Sequence, residues 1–400
     1  MIEYLSYFIF FVVIIITVVY FYIKTKYGFW VLQPVFHIYD VGYMIKSPGI
    51  INHGLPTKNK YTNFINIDTF EYNKLPPFFI TKIIRLINTH YFREKSNFFK
   101  LTDRQFVPYL TSHNDKVFVS IYNEKIQLIN STHNSIVDDD KMVSVITSRP
   151  LNVVINNNNK DAKFVCYYVD YLCVHNSYRK MGIAPQMIQT HHYTQSRLNK
   201  QVSISLFKRE DELTGIIPVC AYSTYGFSVD KWEKPTDLFP KYTLVCITST
   251  NMHILTNFIT TQSDKFDIMV TCELTNLAEL ISTQNLFVYV IVHHDEIAAA
   301  YFFRKTCIFI ETKLEVLSCF ASINNCSTLN VFIHSFKTLF WKIASDHYFG
   351  YCSIENISHN DVIISNLLIK NKPDVISPTA YFFYNFVYNT SPSNKVFIVN

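Results

Sequence analysis

The stretch that most limits how this chain can fold is a strand, a basic loop and a helix start in immediate succession. Phe164 to Val174 (FVCYYVDYLCV) is a long apolar run rich in β-prone residues that stops at a polar turn. A helical pattern then runs from Ala184 to Leu198, with Pro185 in its first turn, where proline is tolerated. Between them lies Arg179-Lys180-Met181-Gly182. A buried strand that ends where a helix begins calls for an α/β or α+β architecture.

Arg179 to Ala184 fits the pattern Arg-x-x-Gly-x-Ala. Successive backbone N–H groups in such a loop can cradle a pyrophosphate at a helix N-terminus. Gly182 lets the backbone approach, and Arg179 and Lys180 can add charge-assisted bonds to phosphate oxygens. The arrangement suits a CoA thioester, although an ordinary basic helix start would read the same way from the hexapeptide alone.

The rest of the chain supports a mixed fold. Pro77 to Phe92 has apolar residues at three and four spacing, which predicts a helix. Strands are expected at Val117–Tyr122 and Ser144–Ile155, with a hairpin turn at Asn156–Asn159 and Lys160-Asp161. Past Trp232 the pattern restarts: a strand at Tyr242–Ile247, helices opening at Asn251 and over Leu274–Thr283, and a hairpin of Leu286–Val292 with Ile297–Phe303. His293-His294-Asp295-Glu296 is then a solvated hairpin tip. A helix follows at Leu329–Ala344. The two halves read as two copies of one plan, with a boundary near Asp230–Asp237.

Tyr4 to Ile23 is free of charge and, at about 1.5 Å per residue, long enough to cross about 30 Å of hydrocarbon. It lacks the basic n-region and small-residue cleavage site of a signal peptide. Lys24 and Lys26 follow it and only Glu3 precedes it, so the charge bias predicts a single-pass membrane protein with its long C-terminal part in the cytosol. The nine scattered cysteines contain no Cys-x-x-Cys pair and read as buried thiols of a reducing compartment. A net charge of +5, spread over 400 residues, forms no basic stripe and predicts no nucleic-acid partner. The adjacent His191-His192 lack the i, i+4 spacing of a metal pair, and no nucleophile elbow is present.

Three blocks together resemble the glycylpeptide N-myristoyltransferase family of the GNAT superfamily. Tyr171-Leu172-Cys173-Val174-His175, then Arg179, then Ile183-Ala184-Pro185 is similar to the family's Phe-Leu-Cys-Val-His block and Ala-Pro helix start, at matching spacing. Phe29-Trp30-Val31-Leu32-Gln33-Pro34-Val35 resembles Phe-Trp-x-Thr-Gln-Pro-Val, with Leu32 at the Thr position. Tyr381 to Phe386 (YFFYNF) resembles Tyr-Tyr-Leu-Tyr-Asn-Trp, and Asn400 follows the apolar Val396–Val399. The resemblance covers about Phe29 to Asn400, with weaker echoes at Asn88–Tyr91 and Leu274–Thr283.

Behind the anchor at 1–24, the resemblance implies two tandem GNAT-like halves forming a saddle-shaped mixed sheet with helices: an acyl-CoA-binding half at 25–235 and a peptide-binding half at 236–400, as a monomer. It implies myristoyl-CoA as acyl donor, no metal, and N-terminal glycine peptides as acceptors. Phe29, Trp30 and the loop Arg179, Lys180, Met181, Gly182, Ile183, Ala184 and Pro185 would hold the donor. The backbone N–H groups of Tyr171 and Leu172 would form the oxyanion hole, and the carboxylate of Asn400 would accept the glycine proton. Asp170, Tyr91, Tyr225 and Asn385 would meet the acceptor; Asp170 stands at a family Asn and can either bind the glycine ammonium or cap a turn. His175 belongs to the motif but takes no catalytic role.

Departures fall on the acceptor side. Where the family has an acidic run, this chain has Phe92-Arg93-Glu94-Lys95-Ser96, and the Thr-Ala-Gly turn has no counterpart in Ser203–Arg209. They leave two rival readings: a non-catalytic acyl-CoA-binding scaffold, or a GNAT enzyme acylating another amine.

Overall fold

The computed structural model describes residues 2–26, 28–45, 48–92, 97–130, 135–156, 162–210, 215–230, 232–310 and 314–400. Arg93–Ser96, and most of the turn expected after Ile155, lie outside these.

The first helix, α1 (Ile2–Lys26), contains the one stretch among the described residues long and apolar enough to cross a membrane, Tyr4–Tyr22, and none of that stretch is buried. The second, α2 (Pro77–His90), begins at proline and buries Ile83, Ile84, Leu86 and Ile87 against Val119, Ile121, Val145 and Cys173. This is the stripe that three and four spacing requires. Helix α3 (Ile183–Leu198) follows the basic loop, and α4 (Leu329–His347) lays Phe332, Phe336, Leu339 and Phe340 on a second cluster with Tyr301 and Phe303. Fully burying each such side chain is worth about 1.5–3 kcal/mol, so these faces dominate the packing.

Helices α2, α3 and α4 lie against one fifteen-stranded mixed sheet. Its main strands are β1 (Phe118–Asn130), β2 (Ser135–Ile155), β3 (Ala162–Val174), β4 (Ser205–Glu210), β5 (Cys220–Ser228), β6 (Tyr242–Cys246), β7 (Ile268–Thr271), β8 (Leu286–His293), β9 (Glu296–Ile310), β10 (Leu314–Asn324), β11 (Phe349–Glu355), β12 (Val375–Tyr384) and β13 (Val396–Val399). They run β13-β7-β2-β3-β4-β12-β5-β11-β10-β9-β8-β6 across the sheet, with β1 beside β2. Strands from the end of the chain are thus woven into the sheet built by its middle: β12 lies between β4 and β5, and β13 pairs in parallel with β7.

Two irregularities shape the centre. Strands β3 and β4 are parallel and pair only over Tyr167–Val169 with Ser205–Phe207, after which they share no register and leave a gap. Across the β2–β3 pairing, Val145 faces Cys173 and Thr147 faces Asp170, so Ile146 alone opposes Tyr171 and Leu172. This is a β-bulge, with Tyr171 at φ 49°, a conformation a bulky residue adopts only when its surroundings impose it.

All nine cysteines are unpaired. Seven are buried as expected, but Cys246 is exposed and Cys326 half-buried, because both sit near edges of the second half. The hairpin tip is a two-residue turn with His294 and Asp295 both at positive φ. Strands β4 and β5 go beyond the sequence expectation, in a region read there only as a missing turn.

Candidate functional site

The gap between β3 and β4 opens into a cavity of about 940 Å³. One end is lined by Phe29 and Trp30, by Ala184, Pro185, Ile188 and His191 of α3, and by Phe207. Its middle is the bulge, Asp170, Tyr171 and Leu172. At the other end stand Tyr109, Arg149, Tyr168, Lys208, Arg304 and Glu355.

At the first end, backbone geometry does most of the work. Lys180 has φ 66° and Gly182, the residue before the helix, has φ 75°, so two left-handed residues turn the chain into the α3 N-terminus. Such alternation points N–H groups inward together and forms an anion-binding concavity. Lys180, Met181 and Gly182 are exposed, at the mouth rather than inside the cavity. Arg179 does not project as expected: its guanidinium donates to the carbonyls of His90, at the end of α2, and Val174, so it ties the loop down. His175 Nδ1 accepts from Ser177 N at 3.2 Å and caps the same turn.

Trp30 stacks on Phe207 with centroids 5.5 Å apart, and the N-terminal motif docks on the C-terminal one. The Tyr384 hydroxyl donates to Gln33 Oε1 at 2.6 Å, and Asn385 N donates to Pro34 O at 2.6 Å. The Asn385 side chain bonds Asn52 N, Asn52 O and Ser203 O. It is therefore a clamp between segments, and the expected acceptor contact is corrected. His191 is held between Ser120 Oγ (2.7 Å) and Ser148 Oγ (2.9 Å); burial, and then His192, pushes its pKa down to about 3. Burial pushes His192 down to about 4, so both rings are neutral.

At the bulge, the Asp170 carboxylate accepts from the Tyr171 N–H at 2.8 Å. It caps the strained residue, one of the two roles the sequence left open, and occupies one of the two expected oxyanion donors. Tyr91 lines the cavity beside Phe99. Tyr225 does not: on β5, Thr224 and Gly226 face the cavity, and strand alternation turns Tyr225 onto the α4 cluster.

The second end holds charges that motif reading missed. Glu355 takes Arg304 Nη2 at 2.7 Å, Lys208 Nζ at 3.1 Å and the Tyr222 hydroxyl. Burial would raise its pKa, but Lys208 and Arg304 bring it down to about 2. Arg304 Nη1 also donates to Asn400 Oδ1 at 3.0 Å. Asn400 is 0% exposed, carried inward by the buried strand β13. Arg149 is 2% exposed, sits over the rings of Tyr109 (4.9 Å) and Tyr168 (5.2 Å), and leaves Nη1 without a partner. Burying an unpaired ion costs several kcal/mol, and two aromatic faces return roughly 1–4 kcal/mol at most. Lone charged residues inside apolar strands, Arg149 in VITSRPLNV and Arg304 in AAAYFFRK, were the available signal.

Residues 58–220 match the family described as myristoyl-CoA:protein N-myristoyltransferase, N-terminal domain. No curated protein matches the sequence. Among solved structures, Saccharomyces cerevisiae N-myristoyltransferase with bound myristoyl-CoA has the same fold, with a TM-score of 0.68 and 13% identity over 92% of this chain and 94% of that one. The yeast enzyme with bound myristoyl-CoA and inhibitors aligns with TM-score 0.68 and 14% identity over 92% and 91%. The family match falls on the segment that builds the bulge, the loop and α3, and the fold shared with the yeast enzyme extends over nearly the whole chain.

Proposed function

We propose that this chain transfers myristate from myristoyl-CoA to the N-terminal glycine amine of a protein or peptide by direct attack. The observation that carries the reading is the single cavity that joins the α3 N-terminus, the Tyr171–Leu172 bulge and the charged chamber beside Asn400. The loop Arg179–Gly182 and the first turn of α3 hold the CoA phosphates, and Trp30 and Phe29 flank the donor. The glycine nitrogen attacks the thioester carbonyl carbon. The carbonyl oxygen takes the charge and is met by the Leu172 N–H, joined by the Tyr171 N–H once Asp170 turns from it. Before the attack the glycine ammonium gives a proton to the Asn400 carboxylate, which needs only a modest push because an α-amino group titrates near about 7.7–8.0, and the second proton is lost from nitrogen as the amide forms. The C–S bond then breaks, and CoA leaves as the thiolate and takes up a proton.

Helix α1 would tether this site to a membrane, with the cavity on the cytosolic side. The Asp170–Tyr171 bond favours one second reading, an acyl-CoA-binding scaffold whose oxyanion donor is permanently occupied. Incubation of the full chain with myristoyl-CoA and a library of glycine-starting peptides separates them. Transfer gives a mass gain of one myristoyl group at the N-terminal amine. Tight myristoyl-CoA binding with no transfer to any peptide sinks the enzymatic reading, and transfer only to lysine or small amines redirects it.

A further inference from the structure

We infer that Arg149 is an acceptor-recognition residue, and that it selects acceptors carrying an aspartate or glutamate within a few residues of the reacting glycine. The inference rests on the acyl-transfer reading for the word acceptor, but the site itself stands on the geometry. Arg149 is a buried guanidinium lining the 940 Å³ cavity, with Nη1 unbonded. Its nearest companions are the rings of Tyr109 and Tyr168, which supply π-faces and no negative charge. The side-chain carboxylates that face the same cavity are already committed. Glu355 is closed by Lys208 and Arg304, Glu210 is met by Lys208 at 3.4 Å, and Asp170 bonds the Tyr171 N–H. Among the described residues, none forms an ion pair with Arg149.

A second orphan donor lies at the same end. Asn400 Nδ2 is buried with no acceptor, while its Oδ1 is taken by Arg304. Asn400 stands behind the lining residue Arg304, and the unpaired guanidinium of Arg149 in the cavity wall itself describes a site for an oxygen-rich group. A carboxylate suits it best, because a guanidinium fork matches its two oxygens.

Position ties this group to the acceptor rather than to CoA. Arg149 pairs with Tyr168 across β2 and β3, two positions from the Thr147–Asp170 pair that abuts the bulge. At about 3.3 Å per residue that is roughly 6–7 Å along the strand, the reach of about two residues of an extended peptide. The CoA phosphates belong at the α3 N-terminus, at the far end of the cavity.

The test uses the full chain and glycine-starting hexapeptides that differ only by Asp or Asn at position 2, 3 or 4. Binding is measured by calorimetry in the presence of a non-transferable thioether analogue of myristoyl-CoA, and kcat/KM separately with myristoyl-CoA. The expected result is a preference for Asp at one of these positions of at least about thirtyfold, as removing one partner of a buried charged pair implies. Arg149→Met should collapse the Asp/Asn ratio to near one, and Arg149→Lys should keep part of it, with thermal unfolding verifying that both variants fold. A wild-type ratio near one at all three positions overturns the inference. So does a ratio unchanged in Arg149→Met, including an equal loss with both peptides, which would assign the guanidinium to the chain's own Asn400 carboxylate. Because the binding arm needs no turnover, an Asp preference without transfer keeps the inference while sinking the transferase reading.

Discussion

The two ends of the cavity are built on different principles. The α3 end relies on backbone: a bulge at Tyr171, left-handed turns at Lys180 and Gly182, and a helix start, with neutral His191 and His192 behind them. The other end relies on side-chain charge brought from four strands, Arg149 on β2, Lys208 on β4, Arg304 on β9 and Glu355 on β11, with Asn400 after β13 bonded to Arg304. Backbone sites tolerate side-chain drift, since N–H groups are present whatever the residue. Charge clusters do not, because each member's burial depends on the others. The contrast explains how a chain with only 13% identity to a myristoyl-CoA-bound relative can keep one end recognisable while the other diverges.

The largest effect expected from breaking this contrast is at Glu355. Glu355→Gln leaves Arg304 buried without a counter-charge and Lys208 with only the exposed Glu210, and should destabilise the fold by about 3–5 kcal/mol, read as the shift in a denaturant midpoint. A loss below about 1 kcal/mol would mean that water already screens the cluster. Next comes the terminus. Adding a few residues after Asn400 should cut turnover by about 100-fold or more, the usual worth of a positioned base, while myristoyl-CoA affinity measured by calorimetry stays the same. Unchanged turnover would rule out the carboxylate as base. On the acyl side, Gly182→Ala forces a β-carbon into φ 75°, and although the Cβ meets open space, the conformation costs about 1–2 kcal/mol. Acyl-CoA affinity should fall about tenfold with the acceptor preference untouched. Equal affinity would mean that the left-handed turn is not the phosphate cradle.

The same division decided what could be read in advance. The strand, loop and α3 were legible because their signals are contiguous: an apolar run, a glycine where φ must be positive, and a proline in a first turn. The hairpin of β8 and β9 and helix α2 were legible for the same reason. Arg149, Lys208, Arg304 and Glu355 lie up to about 200 residues apart, and each alone is an odd charge in an apolar strand; only the sheet order makes them neighbours. Strand β4 was overlooked because Lys208, Arg209 and Glu210 break the alternation expected of a half-buried strand. The roles expected of Tyr225 and Asn385 failed differently. Motif resemblance carried the residues over, but pleat direction turned one away, and bonds to Asn52 and Ser203 consumed the other.

Acid should also separate the two ends. His191 and His192 have folded pKa values pushed down to about 3 and about 4, below the roughly 6.5 of an unfolded histidine. A depressed value means the unfolded chain binds the proton more readily. The stability tied to these rings is therefore fully present above about pH 6.5 and is lost as pH falls toward the folded values, at about 1.4 kcal/mol per unit for each ring. Glu355, at about 2 against an unfolded value near 4.3, contributes stability that is complete above about pH 4.3 and begins to fail only below it. At pH 5 the layer behind α3 should thus be weakened while the Lys208–Arg304–Glu355 cluster is intact. Hydrogen exchange at pH 5 and pH 7, corrected for intrinsic rates, should show protection falling in α3 and β2 before β9 and β11. Simultaneous loss in all four would mean that the cavity's two ends unfold as one unit, and that their different construction has no counterpart in local stability.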